Sequence, residues 1–297
     1  VTLWVRRKEL FEDIAKKNEN SQYLPGMSLK GISCTINLVD CSKANVIVLA
    51  VPSSFMRSTV QEIKDSISEK TILVHVSKGM DDAGSLMSQV LKEECPNNTC
   101  AVLSGPNHAA EVAKRLPTAT VIACESYKIC AELCSVFETD YFKPYPHDDV
   151  IGVEMCGIYK TIIAMAIGVC DGLQLGDNAK ASILTLGLAE MSAVAHFKGA
   201  KGATCYGLAG VGDLVASCYS NRGRNRFVGE MLARGKNIAD IKKEMHGMVA
   251  EGIRNTKTVY EMCKAKHNQT PLLVQSYRVL YENVDIKQAI NQLLKSV

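Results

Sequence analysis

The sequence predicts an α/β N-terminal domain followed by an all-α C-terminal domain. In the first half of the chain, short β-branched runs alternate with segments of helical periodicity. From about Asp148 onward the strand signals stop and only helical patterns follow. Between the two halves, Pro144 and Pro146 are expected to interrupt regular structure. We therefore predict one domain over 1–147 and a second, helical domain over 148–297.

The strand candidates of the first half are nearly continuous apolar runs, as expected for parallel strands that are covered on both faces. They are 2–5, 45–51, 71–76, 100–105 and 119–124. Helical periodicity in 53–67 and 85–94 separates several of them. Strands and helices in alternation predict a doubly wound, Rossmann-like sheet.

The second half contains helical patterns alone. We predict helices over 150–170, 178–198, 225–234, 238–245, 251–267, 272–283 and 285–295. Open α/β sheets bind ligands at the carboxyl ends of their strands, so the helical half is expected to hold the substrate against that edge.

A doubly wound sheet that binds a dinucleotide opens with a strand, a glycine-rich turn and a helix. This chain begins with what reads as the second strand, and its first third contains no GxGxxG. The run GLAGVGDL (207–214) lies in the helical half with no strand before it, so we do not assign it to a pyrophosphate. We expect the first strand and its glycine-rich loop to be absent from this chain, and its cofactor binding to be weak.

Composition excludes several classes of function. The net charge is only +3 and the basic residues are scattered, which argues against a nucleic-acid partner. We find neither an apolar run of about 20 residues, as a bilayer span needs, nor a signal peptide, so we expect a cytoplasmic protein without stable membrane insertion. The 12 cysteines form no CxxC pair beside a histidine at ligand spacing, which indicates reduced thiols and no metal site.

One lysine stands in an otherwise apolar segment. The stretch EMCGIYKTIIAMAIGVCDGL (154–173) carries a single ammonium group, Lys160, amid residues that favour burial. Burial lowers the pKa of a lysine towards neutrality, which suits a proton donor. A lysine that extends from the helix to water is the alternative.

Two arginines follow the first predicted strand. A dinucleotide domain presents a residue to the adenosine ribose at the end of its second strand, and an acidic residue there favours NAD. Arg6 and Arg7 would instead suit the 2′-phosphate of NADP. Two solvated surface arginines are the alternative interpretation.

Seven stretches, in their order along the chain, together resemble one enzyme family. They are VPSSFMR (51–57), VSKGM (76–80), LSGPNHAAEVAKRLPTA (103–119), CGIYKTIIA (156–164), GLAGVGDLVAS (207–217), SNRGRNR (220–226) and VAEGIRNTK (249–257). This set resembles the NAD(P)-dependent glycerol-3-phosphate dehydrogenases of the bacterial type, from Leu3 to about Glu282. The resemblance implies reversible reduction of dihydroxyacetone phosphate to sn-glycerol 3-phosphate, the precursor of glycerophospholipids. NADP or NAD is the implied cofactor, with NADPH favoured, and a homodimer is left open.

The resemblance also implies roles for individual residues. Lys160 matches the catalytic lysine, which would protonate the alkoxide that hydride delivery leaves on a ketone. Asp213 matches a substrate-site position and could orient that ammonium, although an N-cap of the helix starting at Leu214 is an alternative. Arg224 and Asn225 match a clamp for the substrate phosphate. The implied substrate contacts are Lys78, Gly105, Asn107, Lys160, Asp213, Gly223, Arg224 and Asn225, and the implied cofactor contacts are Arg6, Arg7, Phe55, Lys78, Ala109, Arg224, Val249 and Glu251.

Two other interpretations compete with this one. β-Hydroxyacid and 6-phosphogluconate-type dehydrogenases carry asparagine four residues after their lysine, where this chain has Ala164. A non-catalytic sensor built on a degenerate dehydrogenase would not need an intact set of site residues, which here comprises Lys160, Lys78, Asp213 and Arg224. Within the resembled family itself, some members carry Asn after the catalytic lysine, where this chain has Thr161.

Overall fold

The N-terminal half contains two sheets in the computed structural model, which describes residues 1–220, 223–245, 247–264 and 269–295. The first sheet is a parallel pair, and the second has five strands in the order in which they follow along the chain. The pair consists of β1 (Thr2–Trp4) and β2 (Ser33–Thr35), and the larger sheet of β3 (Val46–Leu49), β4 (Ile72–His75), β5 (Cys100–Ser104), β6 (Thr118–Cys124) and β7 (Phe142–His147).

Five helices accompany these strands in the described part of the N-terminal half. They are α1 (Lys8–Lys17), α2 (Met56–Ile63), α3 (Met87–Glu94), α4 (Ala109–Ala113) and α5 (Tyr127–Phe137). The Rossmann-like prediction is confirmed, and the five predicted strands correspond to β1 and β3–β6. The strand pattern missed β2, which has only three residues, none of them buried. It also missed α1, a short helix in which Ile14 is the one buried residue.

The interpretation of Pro144 and Pro146 as a break in regular structure is wrong. Both prolines lie inside β7, which pairs in parallel with β6 and forms the outer strand of the sheet. Proline lacks an N–H donor and is tolerated on such edge strands. Because the two prolines are two residues apart, their missing donors lie on the same side of the strand, which is free to be the unpaired side. The domain boundary near these residues stays a prediction; β7 ends at His147 and α6 begins at Val150.

The expectation that all the apolar runs are parallel strands is also wrong in one place. β6 runs antiparallel to β5, with Ala101 opposite Cys124 and Ser104 opposite Val121. Its residues Val121 to Cys124 are buried, like those of its parallel neighbours. Burial on both faces produces the continuous apolar pattern whichever way a strand runs, so the pattern does not encode direction.

The second half is helical from Val150, as predicted. Its helices are α6 (Val150–Gly172), α7 (Gly176–Phe197), α8 (Asp213–Tyr219), α9 (Arg224–Ala233), α10 (Ile238–Glu244), α11 (Glu251–Met262), α12 (Pro271–Tyr281) and α13 (Ile286–Leu294). The helix predicted over 251–267 ends at Met262, and positions 265–267 of that prediction lie outside the described residues.

Helix α6 is the centre of the helical half. By length and composition it could cross a bilayer, which the sequence analysis did not anticipate, but 83% of its most apolar window is buried by the protein around it. It therefore packs as a core helix of the molecule. A large buried cluster surrounds it, with Met155, Ile158, Ile162 and Ile163 from α6 itself.

Two glycines let α6 and α9 touch along their backbones. A Cβ atom at Gly168 would lie 1.9 Å from the carbonyl oxygen of Arg226, and one at Gly229 would lie 1.9 Å from the carbonyl oxygen of Met165. No side chain fits either position, so the two helices can approach this closely only with glycine there. This contact fixes the N-terminus of α9, with Arg224 at its first position, relative to Lys160 on α6.

Candidate active site

The carboxyl ends of β3, β4 and β5 meet at one edge of the five-stranded sheet, and α6 passes this edge. Lys78 follows β4 and Gly105 follows β5. A Cβ atom at Gly157 would lie 3.2 Å from Ser104 Oγ and 3.5 Å from Lys78 Cγ, so α6 packs closely against both strand ends at this glycine. One turn further along α6 is Lys160.

Lys160 is buried, and its ammonium group is hydrogen-bonded within the protein. Its side chain does not extend to water, since the residue is only 6% exposed. Its Nζ donates to Asp213 Oδ1 and to Ser217 Oγ, each at 2.6 Å. Burial lowers the pKa of Lys160 to about 8; the Asp213 carboxylate opposes that shift, and the nearby Lys78 ammonium adds to it. The group can therefore exchange a proton near neutral pH.

Asp213 holds two ammonium groups with one carboxylate. While Oδ1 accepts from Lys160, Oδ2 accepts from Lys78, whose Nζ also lies 3.3 Å from the carbonyl oxygen of Gly105. Burial alone would raise the pKa of Asp213, but the two lysines outweigh it and hold that pKa below its usual range. Asp213 is the first residue of α8, and Gly212 occupies the cap position, so the N-cap interpretation of Asp213 is wrong.

The glycine-rich run before Asp213 serves packing. Residues Leu208–Gly212 form a single π-helical turn that leads into α8. A Cβ atom at Gly210 would lie 2.0 Å from the carbonyl oxygen of Cys205, so this turn can close only on glycine. The run thereby delivers the Asp213 carboxylate to the two lysines.

Gly105 and Asn107 lie together over the start of β6. Gly105 has φ of 150°, and a Cβ atom there would lie 2.7 Å from Thr120 Oγ1. Asn107 Nδ2 donates to the same Thr120 hydroxyl at 3.3 Å. The helix that follows, α4, has only five residues and begins at the exposed Ala109. Its dipole is correspondingly small. The polar side chains of this loop are Asn107 and His108, and Nε2 of His108 lies 3.3 Å from the carbonyl oxygen of Ala216.

The predicted phosphate clamp lies next to Ser217. Gly223 caps α9, and a Cβ atom there would lie 2.8 Å from the carbonyl oxygen of Ser217, whose hydroxyl contacts Lys160. Arg224 is exposed at the first position of α9 and forms no ion pair within the described ranges. Asn225 Oδ1 accepts from the backbone N–H of Gly252 at 2.9 Å, which leaves its amide donors for a ligand. Residues 221 and 222 of the SNRGRNR motif lie outside the described residues.

The predicted cofactor residues fall into two groups, of which the first surrounds Phe55. The guanidinium of Arg6 lies 5.3 Å from the centre of the Phe55 ring, and this ring is 46% exposed. Arg7 instead donates to Gln22 at 2.6 Å and to Tyr23 at 2.9 Å. The guanidinium of Arg7 also lies 5.5 Å from the centre of an exposed ring, that of Tyr23. The two arginines therefore differ in the hydrogen bonds that hold Arg7.

The second group lies at the start of α11. Val249 is exposed just before this helix, and Glu251 is its first residue. The carboxylate of Glu251 accepts from the backbone N–H of Ser53 at 3.0 Å and from its hydroxyl at 2.9 Å. Glu251 therefore holds the turn that carries Phe55 two residues later.

Sequence reasoning missed three residues that complete this arrangement, namely Ser53, Ser217 and Asn255. Ser217 lies one helical turn after Asp213, a spacing that places both side chains on one face of α8 and could have been noticed. Ser53 and Asn255 act through contacts with residues about 200 positions away (Glu251) and 177 positions away (Lys78), which no local pattern encodes.

Comparison with known proteins gives a consistent result over the whole chain. The family model for the NAD-dependent glycerol-3-phosphate dehydrogenase N-terminus matches residues 1–130, and the model for its C-terminus matches residues 149–291. A glycerol-3-phosphate dehydrogenase [NAD(P)+] of Chlorobium limicola is 40% identical over 99% of this chain and 90% of its own length. A Bacillus cereus protein of the same name is 37% identical, over 100% of this chain and 89% of its own length.

Solved structures agree with the sequence relatives. A crystal structure of glycerol-3-phosphate dehydrogenase from Coxiella burnetii superposes with a TM-score of 0.95 at 34% identity, and covers 99% of this chain and 91% of that one. A yeast glycerol-3-phosphate dehydrogenase superposes with a TM-score of 0.84 at 28% identity, over 99% and 90% of the two chains.

Proposed function

The chain belongs to the NAD-dependent glycerol-3-phosphate dehydrogenase family, and we propose that it reduces dihydroxyacetone phosphate to sn-glycerol 3-phosphate with Lys160 as the proton donor. The observation that carries the proposal is the buried Lys160 ammonium, which is held by Asp213 and Ser217 and has a pKa lowered to about 8. Such a group can give up a proton near physiological pH, whereas an ordinary lysine, with a pKa of about 10.4, does so far less readily.

The chain's own residues account for the proton in this reaction. A bound reduced nicotinamide dinucleotide supplies a hydride for the ketone carbon. The ketone oxygen then carries the developing negative charge, and Nζ of Lys160 donates its proton to that oxygen. Lys78 adds a second positive charge close by, since both ammonium groups contact Asp213. Two cations around one buried carboxylate leave a net positive site for a developing alkoxide.

Arg224 and Asn225 would bind the substrate phosphate. The guanidinium of Arg224 is exposed at the start of α9. The side chain of Asn225 is engaged through its oxygen by Gly252, and its two amide donors have no partner among the described residues. A guanidinium offers phosphate a planar pair of donors. The start of α9 lies next to Ser217, which contacts Lys160. This arrangement supports a single substrate that reaches from Lys160 to Arg224.

Arg6 and Phe55 fit the adenosine end of a dinucleotide. An exposed aromatic ring with a guanidinium 5.3 Å from its centre offers a flat apolar face beside a positive charge. We propose that Arg6 binds a 2′-phosphate and that NADPH is therefore favoured over NADH. Arg7 contributes less because Gln22 and Tyr23 already hold its guanidinium. Val249 and Glu251 would contact the nicotinamide half of the cofactor from the helical half of the molecule, and Ala109 would also contact the cofactor.

The wider setting of the reaction follows from its product. sn-Glycerol 3-phosphate is the backbone precursor of glycerophospholipids, so we propose a role in lipid synthesis, in the cytoplasm. A homodimer is part of this proposal.

An assay with purified protein tests the proposed function. Oxidation of NADPH and of NADH is followed on addition of dihydroxyacetone phosphate, with phosphate-free dihydroxyacetone as the matched substrate. We expect turnover with the phosphorylated ketone and much less without the phosphate. The proposal is wrong if neither reduced cofactor is consumed with dihydroxyacetone phosphate, as the non-catalytic interpretation requires.

A further inference from the structure

Asn255 lies on α11 at the junction of the two halves of the molecule. It is 1% exposed, and one atom, Nδ2, makes both of its side-chain contacts. Nδ2 donates to the backbone carbonyl of Lys78 at 2.8 Å and to Thr161 Oγ1 at 3.0 Å. Thr161 is the residue after Lys160. A single buried amide group therefore contacts the backbone of one lysine and the neighbour of the other.

We propose that Asn255 is a positioning residue that fixes the distance between Lys78 and Lys160. The inference rests on the proposed role of Lys160 as proton donor. Lys78 lies on the strand-bearing half and Lys160 on the helical half, so their separation depends on how the halves dock. Asn255, from a third element, donates one N–H towards each side.

Among uncharged side chains, only an amide can make both contacts from a single nitrogen. The acceptors are a carbonyl oxygen and a hydroxyl oxygen, so the residue must supply two donors. The hydroxyl of Thr161 already donates to the carbonyl oxygen of Ile158 at 2.6 Å, and it can therefore only accept from Asn255. An aspartate, a threonine or an apolar residue at 255 would leave at least one buried acceptor without its donor.

The Thr161–Asn255 contact also gives a role to the position at which the chain departs from its resembled family. Some members carry Asn after the catalytic lysine, where this chain has Thr161. In this chain the amide of the contact belongs to Asn255 on α11, and the hydroxyl belongs to Thr161 on α6. The two positions would then form one exchangeable pair, and neither could change alone without loss.

The separation of the lysines has a measurable consequence. The Lys78 ammonium is one of the groups that lower the pKa of Lys160. If Asn255→Leu releases the Lys78 backbone, the two cations move apart, that repulsion weakens and the pKa of Lys160 rises. We expect kcat for ketone reduction to fall by about ten- to a hundredfold, and its decline with pH to begin at higher pH than in the parent protein.

Thr256→Val is the matched control. Thr256 is the next residue on α11 and is 0% exposed, and within the described part of the chain its hydroxyl donates to the carbonyl oxygen of Gly252 alone. The Thr256→Val variant loses a buried hydrogen bond that involves neither lysine. We therefore expect the dependence of its kcat on pH to be the same as in the parent protein. If Asn255→Leu and Thr256→Val shift the profile equally, or if neither does, Asn255 has a general structural role and the inference is wrong.

A swap of the pair keeps the inference testable if Asn255→Leu does not fold. We expect Thr161→Asn and Asn255→Thr each to lower kcat, and the double variant to recover part of the loss, because it again offers one amide and one hydroxyl. Additive losses in the double variant would overturn the inference. Lys160→Ala separates the two proposals: if Lys160→Ala abolishes turnover while the swap losses are additive, only the role of Asn255 fails.

Discussion

Lys160 and Asp213 are 53 positions apart in the sequence, yet the Nζ of one lies 2.6 Å from Oδ1 of the other in a buried site. The second oxygen of the same carboxylate accepts from Lys78, which belongs to the strand-bearing half. Asp213 is thus the group through which the two halves of the molecule share one charge cluster. Because burial and Lys78 lower the pKa of Lys160 while Asp213 opposes them, the three side chains set the proton affinity of the site together.

Replacement of Lys160 tests its role as proton donor. We expect Lys160→Ala to lower kcat by about 10²–10⁴, the usual contribution of one well-placed general acid, and to leave the Kd of NADPH within a few-fold. Stopped-flow kinetics and fluorescence titration measure the two quantities. Lys128→Ala, at an exposed lysine on α5, is the control. Near-normal kcat in Lys160→Ala would contradict the assignment.

The lowered pKa of Lys160 predicts the pH dependence of both directions of the reaction. Ketone reduction needs the ammonium form, so its kcat should fall as pH rises through about 8, while alcohol oxidation needs the neutral amine and should rise over the same range. Asp213→Asn removes the group that favours the charged form and should move the transition to lower pH. Lys78→Met removes a repelling charge and should move it to higher pH. Shifts in the same direction in the two variants would contradict this account.

Arg224 is predicted to act through the substrate phosphate. Arg224→Ala should lower kcat/KM for dihydroxyacetone phosphate at least tenfold, since a charge-assisted contact is worth about 1.5–3 kcal/mol. Phosphate-free dihydroxyacetone should be unaffected by the change. Arg234→Ala, at the other end of α9, where Arg234 pairs with Glu230 in solvent, is the matched control. If kcat/KM falls equally for both substrates, Arg224 does not bind the substrate phosphate.

Arg6 is predicted to set the choice between the two cofactors. Arg6→Asp places a carboxylate beside the Phe55 ring, where it repels a 2′-phosphate and accepts from a 2′-hydroxyl, so the preference for NADPH should reverse. The ratio of kcat/KM for NADPH to that for NADH measures the effect. Arg7→Asp should change this ratio less because Gln22 and Tyr23 hold Arg7. If the ratio is unchanged in Arg6→Asp, Arg6 is a solvated surface residue that does not bind the cofactor.

The contact between α6 and α9 predicts an effect on stability. A methyl group at Gly168 would lie 1.9 Å from the carbonyl oxygen of Arg226, a backbone atom that can move only with its helix. Gly168→Ala should therefore lower the free energy of unfolding by at least ~2 kcal/mol. Gly202→Ala, where no atom lies within 4 Å of the added carbon, should change it by less than about 0.5 kcal/mol. Urea denaturation measures both.

The sequence predicted those parts of the fold in which burial leaves a pattern. The continuous apolar runs of β3 to β6 and the long apolar α6 were found in this way. Strand direction left no such pattern, which is why β6 was taken as parallel to β5. The edge strand β7 was missed because its prolines read as a break, although an outer strand tolerates them.

The candidate site was predicted where residue type alone carries the signal. The lone lysine in an apolar helix drew attention by its residue type, whereas the roles of Arg224 and Lys78 came from the resemblance to a known family. The direction in which a side chain points was beyond the sequence. Asp213 read equally well as a helix cap, and Asn255 as one polar residue of α11, because their partners lie in distant elements.

The contacts between the strand-bearing half and the helical half limit the construction of chimeras with other dehydrogenases. Ser53 is held by Glu251 and Arg254, the backbone of Lys78 by Asn255, and Ser88 by Glu154. Each contact pairs a residue of the strand-bearing half with one of the helical half, and several use backbone atoms that substitution cannot supply. A chimera that combined this helical half with the nucleotide domain of another dehydrogenase would need matching serines and the same loop conformation after its fourth strand. The two halves are therefore poor candidates for exchange as independent modules, and variation is better introduced within each half than between them.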